Sequence, residues 1–93
     1  MKSKILYYHI GINHPFRDLS KIETKYFIKD YKTATTEYEE IRHLLNNRCN
    51  KKGDWFRIEL TAVVENEEGT FFRRVERNER NLDIFTDIDE FIL

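Results

Sequence analysis

The chain has 93 residues, 40% hydrophobic, 35% charged and 14% aromatic, a mix that fits one folded domain over 1–93 and excludes a disordered segment. A net charge of −1 excludes a uniformly basic coat for nucleic acid, and no apolar run approaches the ~20 residues of a membrane-spanning helix. Cys49 is the single cysteine and no cleavage-site pattern follows the short N-terminal apolar run, so a reducing compartment, the cytoplasm, is expected.

Lys4 to Ile12 is rich in β-branched and aromatic residues and stops at Asn13-His14-Pro15, which predicts a first strand. Lys25 to Lys32, KYFIKDYK, predicts a second, with Tyr26, Ile28 and Asp30 on one side and Phe27, Lys29 and Tyr31 on the other. The stretch Thr36-Glu37-Tyr38-Glu39 has capping-box spacing and predicts a helix start at Thr36. Tyr38, Ile41, Leu45 and Cys49 follow at helical intervals, with Leu44 widening the stripe. Asp54 to Glu65 alternates, with Phe56, Ile58, Leu60, Ala62 and Val64 on an apolar side and Arg57, Glu59, Thr61 and Glu65 opposite.

Asn66 to Gly69 predicts a turn, and Phe71 to about Asn78 a returning strand. A helix is the alternative for that last segment, with Arg73, Arg77 and Arg80 on one stripe. As a strand it has two registers. One sets Glu59 opposite Arg77 and Arg57 opposite Glu79, an exposed charge ladder. The other, one residue shorter in the loop, sets Val64 against Phe71 and Leu60 against Val75. The sequence does not choose between them. Leu82 to Leu93 repeats Ile84, Ile88, Phe91 and Ile92 at helical spacing between acids, predicting a short C-terminal helix or tail that docks on its own sheet or on a partner. The expected fold is therefore α+β, in the order β-β-α-β-β, with a small antiparallel sheet packed on one main helix.

Charge is sorted along the chain. Residues 1–32 hold seven bases against three acids, residues 54–69 one against five, and residues 70–82 four against two, while residues 83–93 hold four acids and no base. Such patches specify partners better than the total does.

Equipment for chemistry is sparse. Ser3 and Ser20 lack a nucleophile-elbow setting, and three separated glycines cannot cradle a phosphate. His43 and Cys49 are six apart on a helix and face different ways; His9 in a strand and His14 in its closing turn complete the soft ligands, so neither a metal nor a cofactor is expected. Cys49 on the apolar stripe reads as an inert buried thiol.

The expected role is a small non-catalytic protein-interaction domain, a regulator or inhibitor of a larger protein or complex, with self-association as a homodimer one form of it. Short length, abundant lysine, asparagine and isoleucine, and few glycines and prolines make the composition similar to that of small accessory proteins of bacteriophages or mobile elements. The expected contact residues are Phe72, Arg73, Arg74, Arg77 and Arg80, together with the acidic Asp87, Asp89 and Glu90. The alternative is a nucleic-acid-binding module that stacks bases on sheet aromatics, Tyr8 and Phe72 for example, beside the Arg73–Arg80 cluster.

Overall fold

The computed structural model describes residues 3–82. The expected C-terminal helix or tail therefore lies outside the described residues. Five main elements follow one another: β1 (Lys4–Asn13), β2 (Lys25–Ile28), α1 (Tyr31–Arg48), β3 (Trp55–Asn66) and β4 (Gly69–Asn81). A single 3-10 turn, Arg17–Leu19, lies between β1 and β2. The strands form one antiparallel sheet in the order β2-β1-β3-β4, and α1 covers one side of it. The class is α+β, as the periodicities imply.

The helix buries Ala34, Tyr38, Ile41 and Leu45, with Cys49 at its end. These recur every three or four residues, so they form one stripe along the helix. Against it the sheet presents Tyr8, Ile10 and Ile12 from β1 and Phe56, Ile58, Leu60, Ala62 and Val64 from β3. Tyr38, Ile10, Leu45, Ile58 and Leu60 retain no more than a trace of exposed surface. Leu44, expected on the stripe, is instead 46% exposed; it sits one residue short of Leu45 and rotates out to solvent.

The helix begins five residues before Thr36. Asp30 is its N-cap, its Oδ2 accepting from the Thr33 N–H and the Thr33 hydroxyl, each at 2.9 Å. Aspartate ranks above threonine as a cap, and the earlier start adds Ala34 to the buried stripe. Glu39 does not reach back to Thr36 but binds Arg42 at 2.7 Å. The second strand accordingly stops at Ile28, and Tyr31 belongs to the helix.

Hydrogen bonding from Thr33 holds the Asp30 carboxyl below its ordinary value. Its stabilisation is complete above the unfolded carboxylate's value of about 4 and is lost as pH falls through the depressed folded value. Asp30→Ala should lower the melting temperature at pH 7, and the difference from wild type should shrink as acid titrates the cap. A melting-temperature gap that stays constant down to pH 2 would contradict this assignment.

Residues Gly69–Asn81 form a strand throughout, not a helix. Both expected registers occur in it. Near the turn Val64 faces Phe71; farther along, Glu59 faces Arg77 and Arg57 faces Glu79. A β-bulge between Leu60 and Thr61 reconciles them, because Thr61 pairs with Arg74 while Leu60 pairs with Glu76. Val75 is thus the extra residue, and Leu60 does not face it as the shorter register required. The bulge lets the hydrophobic pairing and the charge pairing both form.

Candidate interaction face of the sheet

The side of the sheet away from α1 is built by alternation. In β1 it takes Tyr7, His9, Gly11 and Asn13, because Tyr8, Ile10 and Ile12 point to the helix. In β4 it takes Phe72, Arg74, Arg77 and Glu79, which oppose the outward residues Val63, Thr61, Glu59 and Arg57 of β3. Tyr8 is 6% exposed and cannot be the surface aromatic expected of a nucleic-acid platform; its neighbour Tyr7 stands on that side.

Two zones divide the face. The first is aromatic. His9 and Tyr26 stack with ring centroids 5.2 Å apart at 20°, and Phe27 tilts against Tyr7 at 4.8 Å. With Val63 and Phe72, the rings Tyr7, His9 and Tyr26 line a hollow of about 150 Å³. Thr61 and Val63 on this side of β3 are only 5% and 2% exposed, so the polar side expected for β3 is partly a second buried layer. Tyr26, Phe27 and Phe72 remain 60%, 68% and 71% exposed. No described element covers them.

A local distortion puts two of these rings together. The β1–β2 register slips between the pairs Tyr8–Ile28 and Ile10–Lys25, and Phe27 has φ 59°. That is the left-handed region, which a bulky side chain adopts only under strain. The slip gives adjacent residues, normally on opposite sides of a strand, rings 6.2 Å apart.

His9 Nδ1 is buried with no hydrogen-bond partner among the described residues. Phenylalanine keeps the stack and removes that orphan nitrogen, so His9→Phe should be neutral or stabilising, by up to about 1 kcal/mol. Chemical denaturation checks this; a loss above ~2 kcal/mol would show that the imidazole has a polar partner.

The second zone is charged. Gly11, Asn13, Arg57, Glu59, Arg74 and Arg77 line an open depression of about 300 Å³. Arg74 Nε lies 3.1 Å from Glu59 Oε2, and Arg77 Nη2 donates to Glu79 Oε2 at 2.8 Å. The ion pairs therefore run from Arg74 to Glu59 and along β4, not straight across as the ladder register suggested. Among the described residues the Arg57 side chain has neither an ion pair nor a hydrogen bond.

The expected arginine cluster is split between the two sides of β4. Arg74 and Arg77 join Phe72 on the open face. Arg73, opposite Ala62, and Arg80, opposite Phe56, point to the helix side, where Arg80 Nη1 donates to Asn46 Oδ1 at 3.2 Å. Asp87, Asp89 and Glu90 lie outside the described residues. Arg57, Tyr7, Tyr26 and Phe27 were not anticipated as site residues. The parity of Ile10 and Ile12 already marks Tyr7 as outward; the slip at Phe27 has no such signal.

The remaining soft ligands are apart from this face or differently engaged. His14 Nδ1 accepts from the Phe16 N–H at 3.0 Å, so Nε2 carries the ring proton and points it to the Ile22 carbonyl at 3.4 Å. Burial pushes the Cys49 thiol up from its ordinary value, which keeps it a poor nucleophile. Among the described residues no three histidine, cysteine or acidic side chains converge as a metal site, and no helix is long and apolar enough to cross a membrane. Comparison with known proteins finds no matching family, no similar curated protein and no similar solved structure.

Proposed function

We propose that this chain is a non-catalytic protein-interaction module whose sheet face away from α1 grips an acidic, apolar surface of a protein partner, acting as a regulator or inhibitor by occupying that surface. The observation that carries the reading is the exposure of Tyr26, Phe27 and Phe72 beside Arg57, Arg74 and Arg77. Aromatic side chains and arginine dominate the binding energy of protein interfaces. The arginines supply charge complementarity to an acidic surface, which sets orientation and encounter rate.

A single-stranded nucleic acid would use the same rings. Glu59 and Glu79 stand among the arginines, however, and would repel a run of phosphates, whereas they leave room for isolated carboxylates. The test compares full-length chain with Tyr26→Ser and Phe72→Ser variants as bait in the native cell extract, with Leu44→Ser on the helix side as control. Loss of the same stoichiometric protein from both open-face variants, and its retention by the control, is the expected result. Equal capture by all baits, or single-stranded DNA binding at ~50 mM salt that falls steeply with added salt, would count against it.

A further inference from the structure

We propose that the depression at Gly11 is a carboxylate subsite, taking one aspartate or glutamate side chain of an extended partner segment. This rests on the interaction reading above and names the chemistry that the face recognises.

Gly11 is the central clue. It lies inside β1, paired with Glu59, and it is not among the glycines with positive φ. A Cβ built there would meet nothing within 4 Å. Neither backbone conformation nor crowding demands glycine, although glycine weakens a strand interior. The missing side chain leaves the depression open, which permits close approach by a ligand or another backbone.

The groups around that opening suit a single carboxylate. Arg57, Arg74 and Arg77 line it with one acid, Glu59. Arg74 and Arg77 are held in place by Glu59 and Glu79, while the Arg57 fork has no partner among the described residues. Guanidinium presents paired donors that match a carboxylate. Counting Glu79 beside Arg77, three positive and two negative groups leave one net positive charge, enough for one acidic side chain and not for a polyanion.

Spacing adds specificity. His9 precedes Gly11 by two residues on the same side of β1, roughly 6–7 Å along a strand at ~3.3 Å per residue. An extended partner with its carboxylate at Gly11 would lay the side chain two positions away into the hollow of Tyr7, His9, Tyr26, Val63 and Phe72. The recognised element is therefore an acidic residue two positions from an aromatic or branched aliphatic one.

The experiment titrates full-length, isotope-labelled protein with a blocked extended pentapeptide, Thr-Glu-Thr-Phe-Thr, and follows amide shifts. Expected are saturable shifts, with a Kd in the millimolar range or tighter, at Gly11, Arg57, Arg74 and the aromatic zone. Glutamine in place of the peptide's glutamate, Gly11→Leu and Arg57→Gln should each weaken binding about tenfold or more. Should Gly11→Leu fail to fold, Arg57→Gln alone carries the comparison. Equal binding of the glutamine peptide overturns the subsite, as does saturation by a ten-base oligothymidylate with the peptide silent. Peptide shifts that appear only after Asp87, Asp89 and Glu90 are changed to amides would assign the depression to this chain's own acidic segment, against the proposal. If the peptide fails while Tyr26→Ser and Phe72→Ser still lose the captured protein, the subsite falls and the interaction reading stands.

Discussion

Tyr38→Ala should destabilise the protein by about 3–5 kcal/mol, the range for removing a large buried aromatic ring. Tyr38 is fully buried at the middle of the helix stripe, and its hydroxyl donates to Asn78 Oδ1 of β4 at 2.7 Å. One side chain thus links the helix, the apolar side of β3 and the edge strand. Set against a total stability of about 5–15 kcal/mol for a small domain, that loss removes a large share of the margin. Tyr38→Phe keeps the ring and should cost only about 1 kcal/mol. Burial also pushes the Tyr38 phenol far above its ordinary value. The neutral phenol's contribution is complete below the unfolded value of about 10 and is lost as pH rises toward the folded one, so alkali should unfold wild type relatively sooner than Tyr38→Phe. Denaturant titration at pH 7 and pH 11 measures both effects. An alanine variant within 1 kcal/mol of wild type would contradict the packing described.

The second large effect is on binding. Phe72→Ala should reduce partner affinity ten- to a hundredfold, the scale of an interface hot spot, while changing stability by no more than about 0.5 kcal/mol, as expected of an exposed side chain. Phe27 offers a sharper comparison because its backbone is at φ 59°. Phe27→Gly removes the ring and relieves the strained backbone; Phe27→Ala removes the ring and keeps the strain. Glycine should therefore be the more stable variant by about 1 kcal/mol, and both should bind at least tenfold more weakly. If both Phe27 variants bound normally, the strained ring would have no part in recognition.

The helix stripe and the β3 alternation were legible because burial repeats at 3.6 and at 2 residues, and a single side of each element carries the apolar groups. The two registers of β4 were each half right. The choice between them depended on a bulge at Val75, which no periodicity reveals. The capping-box spacing points to Thr36, but the stronger cap Asp30, bonded to Thr33, and the packing of Ala34 on the sheet both favour the earlier start. The aromatic zone was hidden for a different reason. Tyr26 and Phe27 are adjacent, so strand alternation separates them, and it took a left-handed residue to bring the rings near each other. Likewise the arginine run looked continuous until strand geometry sent Arg73 and Arg80 to the helix side.

Hydroxyl-radical footprinting of the full-length chain, free and in complex with its captured partner, tests the central claim most directly. Protection of Tyr26, Phe27 and Phe72, with Leu44 on the opposite side still reactive, is the expected result. Protection of Leu44 and its helix neighbours, with the three rings as reactive as in the free chain, would contradict it.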